Sequence, residues 1–548
     1  MSESKWNREK SRKKECLCFI ILLVAFLFAA YTVIKLFISS AHILSFSLQY
    51  TSFNEVRDYV SFRLTNFIME GKNPYSLEML SEFTVPFMDL YTPFTPLLVA
   101  VLCKLTGISV LSGNYVINIL FVLLTCFNLW LIIKDMVSAH KKSVFLCVFI
   151  YVATFFTMFL TSAPVFNFHA DAAGIFMTSV IYLVVYKRKE NTLALAVFTV
   201  ALVFTKQILM VMAVPLFIYY LLKNKKLAWK YFAECCICGI LVVILIQIFF
   251  PLYWTETIYA QFFAVSSESS LFYAIYNIAH AYYRYWPLLL LVFGGIIGVL
   301  VIQKKQGEKF KFLTLINKLG KQEYPLYLIL NIIVGTVFLL YFAQNFVDGY
   351  KYCQDIIAPN LLLLTIYVWH TLFGGHLAKS RNCELKNALL VLGICISAAI
   401  SYTNFAYEEF TEEDGASYTA LDDMIRQHED ECIYLGLNST QYLVERNLWE
   451  PENIFFNDGH MEFFDRDFTD NALINRFFYN EEITKAADSY VNRVNQMIAN
   501  KEFGLVAVCG DLVVDGQILQ QYYYPAGTYP IRNETNGVFD VVVWLPIE

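Results

Sequence analysis

Two carboxylates, Glu55 and Asp58, stand three residues apart just beyond the first hydrophobic stretch of the chain, close enough to share one face of a helix. A carboxylate at such a water–lipid boundary has the chemistry of a general base that takes the proton of an attacking hydroxyl. With Arg57 between them, the same residues also fit the wetted outer face of an interfacial helix. Spacing alone leaves both readings open.

Further polar groups recur where the chain re-enters apolar sequence. Asn167-Phe168-His169-Ala170-Asp171-Ala172-Ala173-Gly174 opens one such segment. Asp171 suits a helix N-terminus, either as a simple cap or as a group facing a site, and His169 suits a hydrogen bond to a sugar or phosphate or a structural role. Lys206-Gln207 lies between two short apolar stretches. An ammonium there is costly unless it works on an anion or reaches the lipid headgroups. Tyr282-Tyr283-Arg284-Tyr285-Trp286 is an aromatic-rich entry to a later segment, where Arg284 could contact a phosphate and the rings could stack on a sugar. Lys351 is a weaker candidate of the same kind. The 13 cysteines and eight histidines show no metal-ligand spacing, and no metal or cofactor is expected. Asn438 and Asn533 head glycosylation sequons.

These groups need a membrane scaffold to bring them together. The 548 residues are 57% hydrophobic and 17% aromatic, which excludes an ordinary soluble domain and makes membrane lipids the surroundings. Apolar segments fall at 16–40, 92–106, 114–133, 143–160, 171–186, 192–205, 207–222, 232–250, 286–302, 324–343, 356–373 and 387–402. The first is too long for a signal-peptide core and reads as an uncleaved span. Basic residues cluster in the tail 1–15 and at 187–189, 223–230, 304–321 and 379–386, which places these in the cytoplasm. The loops 41–91, 162–170, 251–285 and 344–355 then lie outside. Lys134, Lys141 and Lys142 also read as cytoplasmic, so the region 92–169 holds one partial or one hidden crossing. The expected total is 11 or 13 transmembrane helices, with 13 favoured.

Beyond residue 404 the chain becomes acidic and less apolar. An amphipathic helix at 418–431 and a polar helix at 468–501 alternate with short apolar runs at 432–437, 453–456, 503–509 and 539–545. That alternation predicts a small extracytoplasmic α/β domain over 404–548, after a transmembrane domain over 16–403. Cys432 and Cys509 could pair there.

The order of motifs in the first external loop resembles that of the GT-C superfamily of polytopic membrane glycosyltransferases. The resemblance rests on Asp58-Tyr59, Gly71-Lys72-Asn73-Pro74-Tyr75 and Tyr91-Thr92-Pro93, and extends through His169, Asp171 and Lys206-Gln207. It is nearest to the bacterial branch with a C-terminal extracytoplasmic α/β domain. Many dolichol-dependent protein mannosyltransferases carry adjacent Asp and Glu in this loop, whereas Glu55 and Asp58 are separated here. The resemblance implies a GT-C-like fold and a polyprenyl-phosphate sugar donor in a bacterial plasma membrane. It implies Asp58 as base with Glu55 in reserve, Lys206, Gln207 and Arg284 at the donor phosphate, and Asp171, His169, Tyr75 and Tyr91 at the substrate. The acceptor would be a glycan, lipid or protein, reached by an inverting displacement, and no nucleic acid is expected. Two rival classes are a transporter or flippase, which would gather ionisable groups at the bilayer midplane, and a non-catalytic membrane scaffold. The enzyme reading requires Asp58, Asp171 and Lys206 to converge.

Overall fold

The structure, a computed structural model, describes residues 9, 12–28, 30, 58–138, 154, 170–188, 190–260, 271–305, 323–342, 354–369, 383–405, 412–457, 472–532 and 538–548. Among the described residues it is rich in helix, with one five-stranded sheet near the C-terminus.

The described parts of the apolar segments are mostly helical, and several of these helices end in local capping chemistry. Phe94–Thr106 stops at Gly107, which adopts a left-handed conformation. Thr192–Thr205 starts at Asn191, whose side chain accepts from the Ala194 amide, and Lys225–Phe249 starts at Asn224, which accepts from the Lys226 amide. Val110–Ser138 and Asp171–Arg188 pack side by side, joined by Phe121 stacked on Phe176 and by a 2.9 Å bond from Asn128 Nδ2 to Ser179 Oγ. Two helices among the described residues, Val110–Met136 and Lys225–Phe249, are long and apolar enough to cross a bilayer by length and composition. The second leaves Ile237, Ile240, Leu241 and Ile248 more than half exposed, a surface that suits lipid far better than water. Segment 143–160, on which the crossing count turns, lies outside the described residues except for Thr154.

The expected span 207–222 is split. Lys206 is extended (φ −154°, ψ 104°), Gln207–Met212 forms a 3₁₀ turn, and an α-helix begins only at Ala213. The expected external loop 251–285 contains a helix, Leu271–Arg284, and a π-helical turn, Thr255–Tyr259.

The sheet runs β2-β1-β3-β5-β4, with β1 (Ile433–Leu435), β2 (Ile454–Phe456), β3 (Leu505–Val508), β4 (Tyr523–Arg532) and β5 (Val538–Pro546). β1 pairs in parallel with β2 and β3, while β5 pairs antiparallel with β3 and β4. Helix Glu481–Ala499 buries Ile483, Ala487, Tyr490, Val494 and Ile498, the single stripe expected of a surface helix lying on a sheet. The long helix expected over 468–501 breaks into Ala472–Phe478 and Glu481–Ala499, because Asn480 caps the second through the Glu482 amide. β4 was not expected. It carries Pro525 and Pro530, which strands tolerate at an edge, and β4 is one of the two edge strands. Cys432 and Cys509 are not joined in a disulfide.

Candidate functional site

The first-loop helix, Asp58–Met69, begins at the residue read as the base. Asp58 is placed by its backbone alone, and Glu55 and His169 lie outside the described residues, as does Lys351. Arg284 closes helix Leu271–Arg284, again placed by its backbone alone. Met69 ends the first-loop helix two residues before Gly71, whose φ of +75° turns the chain.

The Gly-x-Asn-Pro-Tyr element that follows is a buckle. Asn73 Nδ2 donates to the Phe249 carbonyl at 2.7 Å, satisfying an orphan acceptor at the end of helix Lys225–Phe249. Asn73 Oδ1 accepts from the Tyr75 amide, and the Tyr75 carbonyl accepts from the Leu252 amide at 3.0 Å. Tyr75 is fully buried and donates its hydroxyl to the Tyr91 carbonyl at 2.8 Å. Two residues read as substrate contacts therefore meet each other: Tyr75 ties the loop together, and Tyr91 keeps a partly exposed side chain.

Lys206 and Asp171 come together. Lys206 Nζ forms a charged hydrogen bond with Asp171 Oδ1, with 13% and 29% of the respective side chains exposed. Asp171 lies in the first turn of its helix, where the helix dipole favours negative charge. The stem of Lys206 reaches it across Gly174, one turn along. A Cβ at position 174 would meet Leu209 Cδ1 at 2.7 Å and Lys206 Cβ at 3.6 Å. Gly174 is thus the point on this helix against which the Lys206 segment packs. The opposite end of the same helix carries a second ion pair, Lys187 with Asp135.

Gln207 faces inward. Its amide nitrogen donates to the Leu90 carbonyl at 2.9 Å and the Thr257 carbonyl at 3.2 Å, joining the first loop to the Thr255–Tyr259 turn. Thr92 reinforces this junction by donating to the Thr205 carbonyl at 2.9 Å. The residue predicted to touch substrate thus holds the two loops that flank Lys206.

Two buried contacts of ionisable residues at this end of the bundle were not anticipated. Asp89 and Glu256 are both fully buried, and the Asp89 amide donates to Glu256 Oε2 at 3.2 Å. Burial, with the Asp89 charge beside it, holds the Glu256 carboxyl well above its ordinary range. Arg63 is also fully buried and donates to Glu450 Oε2 at 2.8 Å. The signal for the first pair was in the sequence: Phe-Met-Asp-Leu and Trp-Thr-Glu-Thr-Ile place acids among apolar and aromatic neighbours. No group of three or more His, Cys, Asp or Glu suited to a metal occurs among the described residues.

No protein-family model matches the chain, and no curated protein matches it in sequence. Solved structures do match. ArnT from Cupriavidus metallidurans bound to undecaprenyl phosphate aligns over 94% of this chain and 97% of its own, at 13% identity and a TM-score of 0.53. The apo state of that protein aligns over 95% and 98%, at 11% identity and a TM-score of 0.51. An oligosaccharyltransferase from Archaeoglobus fulgidus gives 95%, 74%, 11% and 0.43, too low a score to establish a common fold.

Proposed function

We propose that this chain, which has the GT-C fold seen in ArnT, is an integral-membrane glycosyltransferase. It moves a sugar from a polyprenyl-phosphate donor to an acceptor hydroxyl at the outer face of the membrane. The observation that carries this reading is the Asp171–Lys206 pair, a partly exposed cation held beside a helix N-terminus at the end of the bundle that bears the first loop. A helix N-terminus and an ammonium together suit a phosphate.

In this mechanism Asp58 takes the acceptor proton, with Glu55 in reserve. The acceptor oxygen bonds to the anomeric carbon on the face opposite the phosphate, and the bond from that carbon to the phosphate oxygen breaks. The donor phosphate is a diester with one negative charge and leaves as a monoester with a second. Lys206 answers that added charge, and Arg284 supplies more. Asp171 holds Lys206 extended in the resting protein, and His169 and Tyr91 contact the substrate. Gln207 and Tyr75 keep the surrounding loops in place. The C-terminal α/β region covers the outer side or binds the acceptor.

The test is transfer of labelled sugar from synthetic polyprenyl-phosphate donors in proteoliposomes, with wild type and Asp58→Asn compared. Removing a general base lowers turnover by about 10²–10⁴-fold. Full activity in Asp58→Asn would move the base to Glu55, and no donor-dependent transfer by wild type would favour the transporter and scaffold classes.

A further inference from the structure

We infer that Arg63 is a positioning residue: through Glu450 it makes the C-terminal α/β region part of the machinery that sets the Asp58-bearing helix. The inference rests on the functional reading above.

Tyr59, Arg63 and Phe67 recur at intervals of four, so they line one face of helix Asp58–Met69. All three meet the C-terminal region. The Tyr59 hydroxyl donates to the Leu448 carbonyl at 3.0 Å, and its ring meets the edge of Phe456 at 4.8 Å. Phe67 meets Trp449 edge-on at 5.2 Å. Between them, Arg63 Nη2 bonds Glu450 Oε2 at 2.8 Å and the Val85 carbonyl at 3.0 Å. The guanidinium also lies against three rings, 4.8 Å from Phe456, 5.2 Å from Phe87 and 5.5 Å from Phe67.

The receiving surface is shaped for this. Asn447 takes a φ of +56°, which turns the chain so that Leu448, Trp449 and Glu450 follow one another across the helix face. Phe456 ends β2, so the helix rests on the sheet itself. A fully buried cation is an expensive way to gain stability, because desolvation offsets much of the attraction. Its planar fork and ring contacts fix direction, which a flexible ammonium does not.

A second attachment closes the arrangement. The Tyr259 hydroxyl meets Asn475 Oδ1 at 2.6 Å, and the Thr255 hydroxyl donates to the Phe478 carbonyl. The C-terminal region therefore grips both the first loop and the Thr255–Tyr259 turn, the same two segments that Gln207 joins. First-loop helix, C-terminal region, turn and Lys206-Gln207 form one ring. The position of Asp58 relative to Lys206 is a property of that ring, and Arg63, itself fully buried, forms one of its joints.

The experiment uses full-length protein in lipid bilayers, with Arg63→Met, Arg63→Lys and Glu450→Gln. Turnover and donor KM are measured separately with synthetic polyprenyl-phosphate sugars, and hydrogen exchange is followed across residues 58–69. The expected result is a fall in kcat of about 10²-fold for Arg63→Met, with donor KM little changed, since misplacement rather than lost binding is the defect. Arg63→Lys should not restore kcat, and Glu450→Gln, which keeps an acceptor of the same shape, should fall between. Exchange across 58–69 should quicken in each variant while that of helix Asp171–Arg188 stays as in wild type. Glu450→Gln decides the matter if Arg63→Met fails to fold. Unchanged kcat in the folded variants, or unchanged exchange across 58–69, overturns the inference. A wild type that turns over no donor removes the functional reading and the catalytic role with it, whereas exchange still shows whether the C-terminal region holds this helix.

Discussion

Lys206, Asp171 and Glu256 illustrate how burial and neighbours give single residues their behaviour. The Lys206 ammonium is held by a carboxylate at a helix start, which keeps a cation extended in a partly dehydrated place. Replacing it by methionine keeps the stem and removes the charge. Lys206→Met should therefore raise donor KM and lower kcat together, by about 10-fold or more, in a transfer assay. Glu256 is governed by desolvation. Its folded carboxyl sits well above the unfolded value near 4.5, with Asp89, Tyr75 and Tyr253 close by in the same buried junction. The folded state thus keeps a proton that the unfolded chain gives up, so this contribution to stability is complete below about pH 4.5 and declines as pH rises toward the folded value. Glu256→Gln, neutral at every pH, should lose that decline. Thermal unfolding at about pH 5 and pH 8.5 should show the variant gaining on wild type at the higher pH. Parallel curves would mean that Glu256 is ionised in the folded protein.

Among the elements, the helix from Asp171 and the break at Lys206 depend on each other through Gly174. A methyl group there must displace Leu209 or the Lys206 stem. Gly174→Ala should cost about 1–3 kcal/mol of stability, as overpacking does, and lower transfer beyond what that loss explains. Unfolding and turnover measured on the same preparation would separate the two effects. Much of the element order was legible beforehand, because long apolar stretches and short apolar runs are dictated by burial alone. Asp171 and Lys206 were each singled out, yet their pairing across 35 residues depends on a glycine whose role only packing reveals. β4 was hidden because its prolines argue against a strand until its edge position is known. The 3₁₀ turn at Gln207–Met212 was hidden for the converse reason: apolar periodicity does not distinguish a turn from the first turn of a helix. The Arg63–Glu450 joint, 387 residues apart in sequence, left no local trace.

The molecule as a whole joins an apolar helical bundle to an α/β region through a ring of hydrogen-bonded loops at one end. Asn73 fastens the first loop to helix Lys225–Phe249, Gln207 fastens it to the Thr255–Tyr259 turn, and Arg63 fastens it to the C-terminal sheet. A frame of hydrogen-bonded loops beside a held cation suits group transfer, which gains most from orientation and fixed charge. It suits a carrier less well, since alternating access needs such joints to open. The most direct measurement is sugar transfer in proteoliposomes supplied with a radiolabelled polyprenyl-phosphate sugar and a hydroxyl acceptor, for wild type and Lys206→Met side by side. We predict donor-dependent formation of a glycosylated product by wild type and its near loss in the folded variant. Equal product from both, or labelled donor crossing the membrane with no product formed, would contradict the assignment.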